Sequence, residues 1–141
     1  MSNKLSKTDS WAILLITYNR VIKAIEKELK DHNFPNLEWY DVLWALERSA
    51  DGKLRFNELG EKIDLAKYNV SRLAEKLSKE GLIRIESSLE DKRGLFAVIT
   101  AKGLKTRMNI WQVYESAILK NFGSKLTNEE HLQLKKILLK I

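Results

Sequence analysis

The side chains of this sequence best equipped for chemistry are cations set among hydrogen-bonding groups, and they are concentrated. Residues 53–107 hold 13 Lys/Arg against 8 Asp/Glu, a net of +5, whereas the two flanks together hold 12 against 11. Two clusters stand out. Lys67, Tyr68, Asn69, Ser71 and Arg72 lie within six consecutive residues, with Lys76 and Lys79 following at helical spacing. Further on, Arg84 precedes the triplet Asp91-Lys92-Arg93. In a chain of formal charge +6, such clusters point to a polyanionic partner.

Other chemistries find no footing. The absence of cysteine removes disulfides, thiolate zinc sites, iron–sulfur clusters and thiol redox sensing together. His32 and His131 are about a hundred residues apart, and neither stands at a metal-ligand spacing. There is no glycine-rich phosphate loop, no nucleophile motif and no paired-carboxylate signature. Neither an enzyme nor a cofactor is expected.

The length of 141 residues suits one domain. The balance of 44% hydrophobic and 31% charged residues is that of a globular protein. No apolar run approaches the roughly 20 residues of a membrane span. The short run Trp11–Ile16 is interrupted by Thr17, Asn19 and Arg20, with no small-residue cleavage site after it. The expected compartment is the cytoplasm, without a membrane partner.

The elements that must position the cations follow from hydrophobic spacing. Trp11, Leu15, Tyr18, Ile22, Ile25 and Leu29 predict a first helix capped at Asp9 or Ser10 and ending near Lys30. A second, about Leu37–Ser49, stops at Asp51-Gly52, and a short third lies near Asn57–Lys62. After a break at Asp64-Leu65, a fourth covers about Ala66–Glu80 and ends at Gly81. The third and fourth helices, so closely joined, read as a helix-turn-helix. Beyond Gly81 the period changes to two: Ile83 and Ile85, then Leu95, Ala97 and Ile99, predict a β-hairpin with a charged loop. Thr100 is placed to cap a long helix from Ala101 to Asn121 with a stripe of Leu104, Met108, Trp111, Ile118, Leu119 and Phe122. Thr127-Asn128-Glu129-Glu130 is a capping box for a last helix bearing Leu134, Ile137, Leu138 and Ile141.

The expected fold is therefore mainly α with a small β-hairpin wing, in a single domain, 1–141. Residues 37–100 form the winged helix-turn-helix. Residues 9–30 and 101–141 carry more apolar surface than so small a unit can cover, and are read as dimerisation helices.

With these elements in order, the sequence resembles the MarR family of winged-helix transcriptional regulators. Asp91-Lys92-Arg93, then six residues, then Thr100-Ala101-Lys102-Gly103 is similar to the family's wing signature, Asp-x-Arg followed by an apolar-Thr-x-x-Gly segment. Leu77-Ser78-Lys79-Glu80-Gly81-Leu82-Ile83-Arg84 resembles the family's passage from recognition helix to wing, and Val70-Ser71-Arg72-Leu73 the middle of that helix. The motifs span about residues 54–103. Two positions depart from the pattern. Ala66 stands where a small hydroxylated residue usually opens the recognition helix, leaving Asp64 as the alternative cap. Arg55 stands at the usual small capping position before the third helix.

The resemblance implies a homodimer laying its fourth helices in successive major grooves of pseudo-palindromic double-stranded DNA, with wings in the minor grooves, acting as a repressor. Lys67, Tyr68, Asn69, Ser71 and Arg72 then occupy the two turns that meet bases or phosphates. Asn69 suits an adenine edge, and Arg72 a guanine edge or a phosphate. Lys76 and Lys79 suit the backbone. Arg93 is the residue for minor-groove insertion, with Lys92 on phosphates and Asp91 orienting the guanidinium. Arg84 either contacts phosphate or pairs with an acidic neighbour. Family members often respond to small aromatic ligands, for which Trp11, Tyr18, His32, Trp39, Tyr40, Trp44 and Trp111 are the candidates. The alternative is a winged-helix dimer serving protein interaction or non-specific architectural DNA binding.

Overall fold

The computed structural model describes residues 3–65, 67–88 and 94–141. Among these, six α-helices and three strands occur in the order α1 (Asn3–Asp31), α2 (Leu37–Glu47), β1 (Lys53–Arg55), α3 (Phe56–Ile63), α4 (Lys67–Lys79), β2 (Ile83–Ser87), β3 (Leu95–Ile99), α5 (Ala101–Asn121) and α6 (Asn128–Leu138). This is the winged helix-turn-helix expected, with one strand added. The chain divides into two compact units, Pro35–Trp111 and Met1–Phe34 with Gln112–Ile141.

In the first unit, α2, α3 and α4 pack with the sheet around one apolar core. Val42, Leu43 and Leu46 of α2 meet Leu59 of α3, Val70, Leu73 and Leu77 of α4, and Ile83 and Ala97 of the sheet. The strands are antiparallel in the order β1-β3-β2, with Leu54 opposite Ala97 and Ile85 opposite Ala97 from the other side. Alternation therefore puts Leu54, Ile83, Ala97 and Ile99 on one face, and Lys53, Arg55, Arg84, Glu86, Phe96 and Val98 on the other. Val98 is nevertheless buried: it lies between Lys53 and Arg84 in the pairing register, where aliphatic stems can cover it.

Between α3 and α4 the chain turns at Asp64, whose φ of 55° is left-handed, and Leu65 N–H donates to Gly60 O (2.9 Å). Asp64 thus terminates α3. Arg55 does stand at the N-cap of α3. A guanidinium cannot accept a hydrogen bond, so the cap is made from the other side, Glu58 Oε1 accepting from Arg55 N–H (3.1 Å).

The second unit comprises α1, the end of α5 and α6. Here α1 begins at Asn3, well before the predicted cap. Ser10 is interior, and its hydroxyl donates back to Lys7 O (2.9 Å), an option that lets a helix run through serine. Thr127 caps α6 as expected, its Oγ1 accepting from Glu130 N–H (3.1 Å) while Glu130 Oε1 accepts from Thr127 N–H (2.9 Å). These bonds hold the Glu130 carboxyl below its usual pKa. Lys120 pairs with Glu28 (2.9 Å), and His131 Nε2 bonds Gly123 O (2.7 Å). Large apolar side chains stay exposed, among them Trp11, Leu15 and Tyr18 of α1 and Ile137 of α6.

Helix α5 carries a buried line beside its predicted stripe. Met108 and Leu119 are exposed, whereas Ile110 and Ala117 are fully buried, in line with buried Gly103. The spacing 103, 110, 117 is a heptad, but two of its members are too small to register as apolar in a sequence. No helix among the described residues is long and apolar enough to cross a membrane.

Candidate nucleic-acid interface

Helix α4 divides cleanly into two faces. Val70, Leu73, Ala74 and Leu77 enter the core, the i, i+3, i+4, i+7 stripe of an amphipathic helix. The remaining positions turn Ser71, Arg72, Lys76 and Lys79 outward, with Asn69 half-buried at the margin. Arg72, Lys76 and Lys79 have no hydrogen-bond or ion-pair partner among the described residues. A row of exposed cations so placed presents free charge on one side of a rigid element. The backbone of Lys67 and Tyr68 is helical, but their side chains lie outside the described residues, as do Asp91, Lys92 and Arg93. On either side of the strands' open ends, Ser88 N–H donates to Gly94 O (2.9 Å).

Strand β1 brings to the wing two cations that sequence reading passed over. Lys53 Nζ stands 4.5 Å and Arg55 Cζ 4.7 Å from the centre of the Phe96 ring. Arg84 lies 3.7 Å from Glu86, which also lies 3.9 Å from Lys53. One carboxylate thus faces two cations through long, exposed contacts worth about 0–1 kcal/mol each. Three residues after a turn are too few for a periodicity to reveal; the only signal was the polar–apolar–polar order Lys53-Leu54-Arg55.

Aromatic candidates gather in part. Tyr40 stacks on Trp44 (6.4 Å between centres) and on Trp111 (6.0 Å), and Trp39 packs against the core. Arg107 organises this group. Its guanidinium lies 5.4 Å from the Trp44 ring centre, pairs through Nε and a second nitrogen with Glu47, and bonds the Tyr40 hydroxyl. Burial raises the Tyr40 pKa, while that bond opposes the rise. Trp44 also lines an open cleft of about 900 Å³ with Asp41, Arg48, Lys53 and Lys62. Trp11 and Tyr18 belong to the other unit, exposed on α1. His32 is engaged at home, its Nδ1 bonding Glu28 O (2.8 Å).

A helix-turn-helix with a charged second helix, backed by a three-stranded wing, defines a winged-helix protein of the DNA-binding type. The MarR family pattern matches residues 33–94. The HTH-type transcriptional regulator YkoM of Bacillus subtilis (strain 168) is 30% identical over 121 residues, spanning 83% of this chain and 76% of that protein. Among solved structures, Sco3205 of Streptomyces coelicolor, a MarR family transcriptional regulator in complex with DNA, matches at TM-score 0.85 and 22% identity over 95% of this chain and 84% of its own. BpsR of Bordetella bronchiseptica, whose DNA binding is regulated by 6-hydroxynicotinic acid, matches at TM-score 0.78 and 19% identity over 92% and 89%. The chain belongs to the MarR family of transcriptional regulators.

Proposed function

We propose that this regulator is a homodimeric, sequence-specific repressor that binds a pseudo-palindromic operator through α4 and the wing. The observation that carries this reading is the exposed row Arg72, Lys76 and Lys79, unpaired among the described residues on a helix whose opposite face is locked in the core. Asn69 and Arg72 read base edges, Lys76 and Lys79 hold phosphates, and Arg93 enters the minor groove beside Lys92. Lys53, Arg55 and Arg84 add sequence-independent attraction. Support for the dimer comes from the apolar side chains left exposed on α1, α5 and α6, which a second copy would cover. Residues 9–30 and 101–141 are its dimerisation helices, completing a single functional domain with the winged helix at 37–100.

A small aromatic acid is the proposed effector, its ring against Trp44 and its carboxylate on Arg48 in the open cleft. Fluorescence anisotropy against the protein's own upstream region and a scrambled duplex, each at two salt concentrations, tests the DNA reading. Tight binding to the first alone, weakened sharply by Arg93→Ala without a fall in melting temperature, is the expected result. Equal weak binding to both, vanishing with salt, would leave a non-specific or protein-binding module.

A further inference from the structure

The residues of the segment Thr100-Ala101-Lys102-Gly103 converge on the end of α4. That helix closes with Gly81 N–H donating to Ser78 O (2.9 Å) and Leu82 N–H to Leu77 O (3.0 Å), a terminal turn that needs the left-handed φ of 75° at Gly81. Three side-by-side devices then grip this turn. The Thr100 hydroxyl donates to Gly81 O (2.7 Å), with Leu82 O also within reach (3.0 Å), while its oxygen accepts from Gly103 N–H (3.0 Å). One hydroxyl thus caps α5 and fastens the exit of α4. Lys102 Nζ donates to Glu80 O (2.8 Å), placing a cation at the negative end of the α4 dipole. At Gly103 a Cβ would meet Leu82 O at 2.1 Å, so only glycine lets α5 come this near.

Ordinary capping does not require this convergence. Thr100 would cap α5 with no bond to Gly81, and Lys102 is exposed with no need to reach back 22 residues. What the contacts accomplish together is to fix the end of α4 to the start of α5 through hydrogen bonds and one close backbone approach. Helix α5 then runs unbroken to Asn121. We infer that Thr100, Lys102 and Gly103 form a clasp that holds α4 at a set pitch on α5, so that the two α4 helices of a dimer meet two half-sites at once. They are positioning residues, and the inference rests on the operator-binding dimer proposed above.

The clasp makes a prediction that a purely structural role does not. A dimer binding one half-site needs only one α4, whereas a full site needs both at the right pitch and spacing. The probes are a duplex selected by the unaltered protein from a random pool, and the same duplex with one half scrambled. Thr100→Val keeps shape and removes both hydrogen-bonding roles; Thr100→Ser restores them. Losing these bonds should lower full-site affinity by about tenfold or more, change half-site affinity less than about twofold, and leave the dimer intact in solution. Thr100→Ser should return to the unaltered protein's ratio. Lys102→Met, which preserves the stem on an exposed side chain, is the second variant should Thr100→Val not fold, and should shift the same ratio in the same direction. Equal losses on full and half sites, or no loss on either by the folded variants, would overturn the clasp. Failure to select any duplex would instead sink the operator reading itself.

Discussion

Lys76 separates a DNA-facing helix from a merely solvated one. Its side chain is exposed on α4, without a partner among the described residues, one turn beyond Arg72. Replacing it with glutamine should move the melting temperature little, since surface changes away from special features stay within about 0.5 kcal/mol. Binding is another matter. Each phosphate neutralised contributes about 0.9 to the slope of log K against log salt, and a dimer carries Lys76 twice, so Lys76→Gln should reduce the slope by about 1.8. Between about 50 and about 200 mM salt, the unaltered protein should therefore lose about twelvefold more affinity than the variant. Anisotropy titrations of a fluorescent duplex at four salt concentrations read that difference directly. The loss should be nearly uniform across sequences, because phosphate contacts carry no base information. An unchanged slope, with the protein dimeric and folded, would show that this face of α4 does not lie on the DNA backbone.

Three further outcomes are expected. Asn69→Ala should relax preference at one base position in each half-site by about 1–3 kcal/mol, and an identical selected motif would take Asn69 off the base edges. Glutamate at Leu15 or Ile137, 46% and 56% exposed in the single chain, should yield monomers or aggregates in sedimentation. A stable dimer from either variant would refute that helix's place in the interface. Arg107→Leu strands the half-buried Glu47 carboxylate and should cost about 3 kcal/mol in chemical denaturation. Adding Glu47→Leu should recover part of that loss, and a single-variant cost below about 1 kcal/mol would mean that solvent already screens the pair.

Much of this was legible because it is local. Period and punctuation located α2, α4, α5 and the start of α6 to within a residue or two, since glycine, threonine and the apolar stripe act within one turn; α6 ends at Leu138, three residues short of Ile141. Thr127 and Thr100 were readable as caps for the same reason. The start of α1 was not: Ser10 satisfies itself on Lys7 O, and whether such a residue caps or continues a helix depends on the backbone before it. A buried line on α5 was missed for a different reason. It runs through Gly103 and Ala117, where smallness rather than hydrophobicity permits burial.

By itself the sequence determined the family, the winged-helix order and the cations available to meet a polyanion, because motif spacing and charge are properties of the chain. Only the tertiary structure decided which of those cations share a surface. Lys53 and Arg55 stand over Phe96 on the sheet face that also carries Arg84 because β1 pairs with a strand more than 40 residues away, a juxtaposition no local pattern encodes. The meaning of Thr100-Ala101-Lys102-Gly103 was settled in the same way. As a string it is a helix cap; folded, it reaches the carbonyls of Glu80, Gly81 and Leu82, since a hydroxyl and an ammonium find their acceptors across space rather than along the chain.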